Sequence, residues 1–119
     1  MNNRVLGARD RLARHHYVRK ASPETNYWAD FSHQKLADYV ARYGHGFCLI
    51  LWGLESDPDD FYCIPFAAVH HLFTEASLDG GSRARWIVDI KDGNLNVRNC
   101  IEVVSVHDYY GKWPDEVLK

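Results

Sequence analysis

The sequence lacks any long hydrophobic run. Its longest uninterrupted apolar stretch, residues 47–52, has six residues, whereas a membrane-spanning helix needs roughly 18 or more. The amino-terminal residues are polar and arginine-rich, without the apolar segment of a secretory signal. We therefore expect a soluble, cytoplasmic protein that does not contact a membrane.

The familiar catalytic signatures are also missing. The sequence has no phosphate-binding glycine–lysine loop, no dinucleotide-binding glycine fingerprint, no nucleophile elbow, no His-Glu-x-x-His and no Cys-x-x-Cys. The three cysteines, Cys48, Cys63 and Cys100, have no metal-like spacing, and we expect them to be reduced. These absences favour a binding domain over an enzyme.

The chain has enough apolar side chains for one core. It contains 119 residues, of which 46% are hydrophobic and 13% aromatic, and it shows no repeat or linker-like stretch. The pattern predicts a single α+β domain of about five mostly antiparallel strands and three helices. We expect a basic helix over residues 1–20, an α+β core over residues 26–110 and a tail over residues 111–119.

Local signals predict several elements inside that core. Ser32 is suited to cap a helix that ends at Gly44. The apolar run 46–53 predicts a central strand covered on both faces and paired with a strand over residues 61–64. Asp92-Gly93 predicts the turn of a later β-hairpin.

Positive charge is concentrated at the amino end. Residues 1–20 carry a formal charge of +5, which leaves −7 for the rest because the whole chain carries −2. On a helical wheel, one side of the basic helix collects Arg4, Arg11, His15 and Arg19, with Arg14 nearby in sequence. Such a side is suited to bind phosphates or an acidic partner, and a solvated helix face is the alternative.

Further candidates lie beyond the basic helix. Arg83 and Arg85 follow a glycine pair and are suited to contact phosphates or guanine edges, or else belong to a solvated hairpin entry. Trp28 and Tyr110 are candidates for stacking on bases, with ordinary packing as the alternative. The neighbouring histidines do not form a chelating pair, because adjacent residues on a helix point about 100° apart.

One acidic pattern points to a different chemistry. Asp60, together with the Asp89-x-Lys91 triplet, has the composition of a nuclease centre in which carboxylates hold Mg²⁺ and a lysine steadies the attacking water. Such triplets also arise by chance. Because Asp60 lies in a charged loop and Lys91 at a turn, the alternative is a set of solvated surface charges.

A longer pattern resembles a known class of domain. It consists of Tyr62-x-Ile64-Pro65, an apolar helix, an Arg85-Trp86 hairpin and a strand leading to Tyr109-Tyr110. In this it is similar to accessory domains found beside nuclease modules in restriction endonucleases. The resemblance implies a domain that recognises DNA, in some cases with a modified base, while another domain or partner subunit cuts.

The leading hypothesis is therefore that this chain is the DNA-recognition domain of a restriction or defence-system endonuclease. We expect this domain itself to need no metal. Its expected DNA contacts are Arg4, Arg11, Arg14, His15, Arg19, Arg83 and Arg85, with Trp28 or Tyr110 stacked on bases. One alternative is a small Mg²⁺-dependent nuclease built on Asp60, Asp89 and Lys91. Another is an interaction module whose basic helix binds an acidic partner or a second copy of the chain.

Overall fold

The computed structural model describes residues 2–80 and 84–118, and within these residues seven strands form two sheets. The strands of the first sheet lie in the order β1 (Tyr17–Lys20), β3 (Cys48–Trp52), β4 (Phe61–Pro65). Those of the second lie in the order β2 (Ala29–Ser32), β5 (Arg85–Lys91), β6 (Asn94–Val97), β7 (Val103–Ser105). Four α-helices accompany them: α1 (Arg4–Leu12), α2 (His33–Tyr43), α3 (Phe66–Val69) and α4 (Pro114–Val117).

The predicted α+β class is confirmed, although there are seven strands rather than about five. All pairings are antiparallel except that of β1 with β3. The Cα radius of gyration is 13.3 Å, close to the roughly 13.5 Å expected of a single domain of this length. No helix in the described residues is both long and apolar enough to cross a membrane.

The three-stranded sheet is buried on both faces, as predicted for its central strand. One face of β3 carries Leu49 and Leu51, which join the main core between the two sheets. The other face carries Ile50 and Trp52, which pack with apolar residues of α1 and α4 in a second cluster. Every residue of β3 and β4 is buried.

Helix α2 begins and ends where the local signals predicted. The Ser32 hydroxyl accepts a hydrogen bond from the Lys35 amide at 3.3 Å, and Gly44 ends the helix with a φ of +60°. The hairpin of β5 and β6 is also confirmed, since Asp92 and Gly93 both have positive φ at its turn.

The prediction of a helix over residues 1–20 is wrong in its second half. Helix α1 ends at Leu12, and Tyr17–Lys20 forms β1, which pairs in parallel with β3. The aromatic and β-branched residues Tyr17 and Val18 are better suited to a strand than to a helix. Pairing with a strand some thirty residues away in sequence decides the structure here, and a helical wheel does not detect such a partner.

Candidate functional site

The four-stranded sheet has one apolar and one mainly polar face. Along β5, Trp86, Val88 and Ile90 join the main core, and the side chains between them point to the opposite face because strand side chains alternate. This opposite face is called the outer sheet face. Its members on β2, β5 and β6 are Asp30, Ser32, Arg85, Ile87, Asp89, Lys91, Asn94 and Asn96.

Two arginines from different sheets meet at one carboxylate on this face. Arg19 of β1 donates from Nη2 to Oδ1 of Asp30 at 2.6 Å and from Nε to the Asp30 carbonyl at 3.0 Å. Arg85 of β5 donates from Nη1 to Oδ2 of the same carboxylate at 2.8 Å. The three side chains together keep a formal charge of +1. Because a guanidinium has five N–H donors, Asp30 saturates neither arginine.

The Asp30 groove is the open cleft around these side chains. It has a volume of about 830 Å³ and is also lined by Tyr17, His33 and Lys35. The first turn of α2 borders it and adds the partial positive charge of a helix amino terminus. The groove is therefore lined by three cations, Arg19, Lys35 and Arg85, and by two carboxylates, Asp30 between the arginines and Asp79, which leaves a formal charge of +1.

A second groove continues from the first along α2. It has a volume of about 280 Å³, shares Tyr17 and Lys35 with the Asp30 groove, and extends to Arg42 and Ala13. Together the two grooves place Lys35 and Arg42 along α2, with Asp38 between them. The helix has 11 residues and is about 16 Å long.

The carboxyl end of α2 holds the segment that follows α1. The Tyr43 hydroxyl donates to the Arg14 carbonyl at 2.6 Å, and the His15 ring stacks on Tyr43 with centroids 4.2 Å apart. Arg11 and Arg14 are exposed. Two of the predicted contacts, Arg14 and His15, therefore lie at the far end of the helix from Arg19.

Arg4 does not join this surface. Its guanidinium pairs with Asp59 at 2.9 Å, donates to the Gly111 carbonyl and lies over the rings of Phe61 and Trp113. These contacts tie α1 to β4 and to the segment before α4, which is a structural role. The prediction that Arg4 and Arg19 lie on one helix face is thus wrong. Arg83 lies outside the described residues.

The alternative to a nuclease centre was that Asp60 is a solvated surface charge, and this expectation is wrong. Asp60 is 6% exposed, and its carboxylate accepts hydrogen bonds from the hydroxyls of Tyr27 and Tyr110 and from the Leu54 amide. Burial, together with the hydrogen bond to Asp60, raises the pKa of both tyrosines. The carboxylate therefore ties together three segments of the chain.

The structure does not join the residues of the alternative nuclease centre. Asp60 precedes β4 of the three-stranded sheet, whereas Asp89 and Lys91 belong to β5 of the other sheet. Within the described residues, no three histidine, cysteine or acidic side chains lie close enough together to hold a metal ion.

The two candidate stacking residues differ in their surroundings. Trp28 is 39% exposed beside β2. Tyr110 packs edge-on against Tyr62 with centroids 4.9 Å apart and donates its hydroxyl to Asp60. Tyr110 is 41% exposed, so both rings are accessible, but the contacts of Tyr110 support a packing role for it.

Sequence reasoning missed Asp30 and Lys35, which complete the groove. Asp30 alternates with the buried residues Ala29 and Phe31, so its exposure was detectable as a strand pattern, but its two arginine partners were not. Comparisons with models of known protein families, with curated proteins and with solved structures found no match.

Proposed function

We propose that this domain binds DNA through the Asp30 groove, as the recognition part of a restriction or defence-system endonuclease. The observation that carries the proposal is the pair of guanidinium groups, from Arg19 and Arg85, held side by side by one carboxylate. Guanidinium groups offer parallel N–H donors that match phosphate oxygens, and Lys35 and the start of α2 add positive charge nearby.

The pairing with Asp30 orients the arginines without sequestering them. The side chains of Arg19 and Arg85 are each 43% exposed and that of Asp30 is 20% exposed. Partly exposed ion pairs of this kind contribute about 0–1 kcal/mol, so Asp30 holds the arginines only weakly. The N–H donors that Asp30 does not use remain available to a phosphate.

The grooves along α2 supply a path for the rest of the backbone. Arg42 lies near the far end of the helix, which is about 16 Å long, and Arg14 and His15 lie beside that end. This length corresponds to the axial rise of roughly five base pairs of duplex DNA. Phosphate contacts at both ends of α2 would fix the orientation of the domain on DNA.

The proposal assigns binding to this domain and cleavage to another domain or a partner subunit, acting together in the cytoplasm. The Mg²⁺-nuclease alternative has no comparable support, because the Asp60 carboxylate already accepts three hydrogen bonds and precedes β4 of one sheet, whereas Asp89 belongs to β5 of the other.

Fluorescence anisotropy with unmodified, methylated and otherwise modified duplexes at two salt concentrations tests the proposal. We expect Arg19→Ala and Arg85→Ala each to weaken binding about tenfold or more, because each removes a charge-assisted contact to phosphate. The matched control is Arg9→Ala, since Arg9 is an exposed α1 residue whose side chain approaches Asp10. Absent or salt-independent binding to every duplex would refute DNA recognition by this surface.

A further inference from the structure

A smaller pocket opens on the outer sheet face, toward the other end of β5. It has a volume of about 300 Å³ and is lined by Trp28, Ile87, Asp89, Asn96, Arg98 and Cys100, among others. This volume is at the lower end of the range for small-ligand sites. The pocket is therefore matched to one heteroaromatic ring rather than to a larger ligand.

Two apolar side chains shape this pocket. Trp28 is 39% exposed, whereas Trp52 and Trp86 are buried in the two cores. Ile87 belongs to neither core cluster and is nevertheless only 4% exposed, so it forms an apolar floor on the polar side of the sheet. An exposed indole in a pocket that also has an apolar lining residue is suited to stack against a flat ring.

One oxygen of the Asp89 carboxylate, which lines the pocket, accepts no hydrogen bond from the described part of the chain. Within the described residues, Oδ1 of Asp89 is buried and accepts no hydrogen bond. Buried carboxylate oxygens are normally paired, and without a donor at Oδ1 from this part of the chain the negative charge of Asp89 is uncompensated on that side, which makes its other oxygen the stronger acceptor. Asn96 lies directly opposite Asp89 on β6 and brings a side-chain amide to the same pocket.

We propose that this pocket holds a single unstacked nucleobase that carries an exocyclic amino group, such as cytosine. The ring stacks on Trp28, and the amino group donates to Oδ2 of Asp89, because Oδ1 is buried and out of reach of a ligand. Carboxylates accept from the cytosine N4 amino group. Uracil and thymine carry a carbonyl oxygen at that position, which the carboxylate repels.

This inference deepens the proposed function and rests on it, because a bound strand is what brings a base to this face. Arg85 lies in the Asp30 groove and Asp89 in the base pocket, four residues apart on β5, which is about 13 Å. Arg98 also lines the pocket; its Nη1 lies 3.8 Å from Oδ2 of Asp79, and its side chain is 54% exposed, so its remaining donors are suited to pair with the phosphate of the same nucleotide.

Nucleosides separate this inference from the proposed function, because they carry no phosphate for the Asp30 groove. We would titrate the ¹⁵N-labelled chain with deoxycytidine and with deoxyuridine, which differ at the 4-position of the ring. The readout is the NMR signal of each indole N–H and, for Trp28→Ala, the backbone N–H signals of the pocket residues Asp89 and Asn96. The Trp86 indole is an internal control, because it donates to the Thr74 carbonyl in the core. The variants are Trp28→Ala and the isosteric Asp89→Asn, with Asp10→Asn as a matched control at a fully solvated carboxylate.

We expect deoxycytidine to shift the Trp28 signal in a saturable way, and deoxyuridine to bind at least tenfold more weakly. Asp89→Asn should weaken deoxycytidine binding about tenfold, Trp28→Ala should abolish it, and Asp10→Asn should leave it unchanged. The inference would be overturned if the two nucleosides bound equally or if Asp89→Asn left the response unaltered. It would also be overturned if the Trp28 signal responded to ethylguanidine, a mimic of an arginine side chain, but not to deoxycytidine. Loss of duplex binding with deoxycytidine binding intact would instead count against the proposed function alone.

Discussion

His16 should make the stability of this domain depend on pH. The side chain is 8% exposed, and its Nδ1 accepts a hydrogen bond from the backbone N–H of Cys48, the first residue of the central strand β3, at 3.0 Å. The neutral ring therefore carries its proton on Nε2, and a second proton on Nδ1 would break this hydrogen bond. Burial, helped by the neighbouring His15, lowers the pKa of His16 from 6.5 to about 4.

The direction of the effect follows from this lowered pKa. Above pH 6.5 both the folded and the unfolded chain hold His16 neutral, so its full contribution to stability is present. As the pH falls toward 4, the unfolded chain binds a proton that the folded chain does not, and folding becomes less favourable. Because each tenfold difference in proton affinity between the two states corresponds to about 1.4 kcal/mol, the loss amounts to about 3 kcal/mol. This is a large part of the roughly 5–15 kcal/mol typical of a domain.

Urea unfolding at intervals between pH 7 and pH 4 measures this loss. His16→Asn is the matched variant, because the asparagine Oδ1 can accept the Cys48 hydrogen bond but does not titrate. We expect the variant to be less stable at pH 7 through lost packing, yet to lose about 3 kcal/mol less than the parent chain on acidification. Parallel stability curves for the two proteins would refute the assignment of the pH dependence to His16.

Two further predictions concern the packing around Asp60 and the backbone of α1. Tyr27→Phe should lower the free energy of unfolding by about 1–3 kcal/mol in urea, because it removes a donor from a buried carboxylate; an unchanged midpoint would contradict the proposed role of that hydrogen bond. Gly53→Ala should prevent or strongly weaken folding, because the new Cβ would lie 2.5 Å from Oδ2 of Asp60. Gly7→Ala in helix α1 meets nothing within 4 Å and should raise the melting temperature through about 1 kcal/mol of added stability. Equal effects of the two substitutions on the melting temperature would contradict the claim that the fold requires glycine at position 53.

Elements with signals inside a few residues were predictable from the sequence. The Ser32 cap, the Gly44 end of α2 and the Asp92-Gly93 turn each depend on backbone geometry that neighbouring residues determine. The continuously apolar run of β3 likewise indicated a strand buried on both faces.

Features that depend on distant partners were not predictable. Strand β1 exists because Tyr17 pairs with Leu49, and the basic pattern of the first 20 residues gave no sign of that partner. A helical wheel placed Arg4 and Arg19 on the same side of one helix, yet each pairs with a different carboxylate on a different part of the molecule. The candidate site therefore emerged from the meeting of β1, β2 and β5, and Asp30 acquires its role only there.

The most direct test of the central claim is the salt dependence of duplex binding in the double variant Arg19→Ala/Arg85→Ala. Each phosphate contact contributes about −0.9 to the slope of log K against log salt concentration. We predict a slope shallower by about 1.8 than that of the parent chain, with little change in the control Arg9→Ala/Lys112→Ala, which alters two exposed cations outside the grooves. An identical slope in the parent chain and the Arg19→Ala/Arg85→Ala variant would contradict the claim that this pair of arginines contacts phosphates.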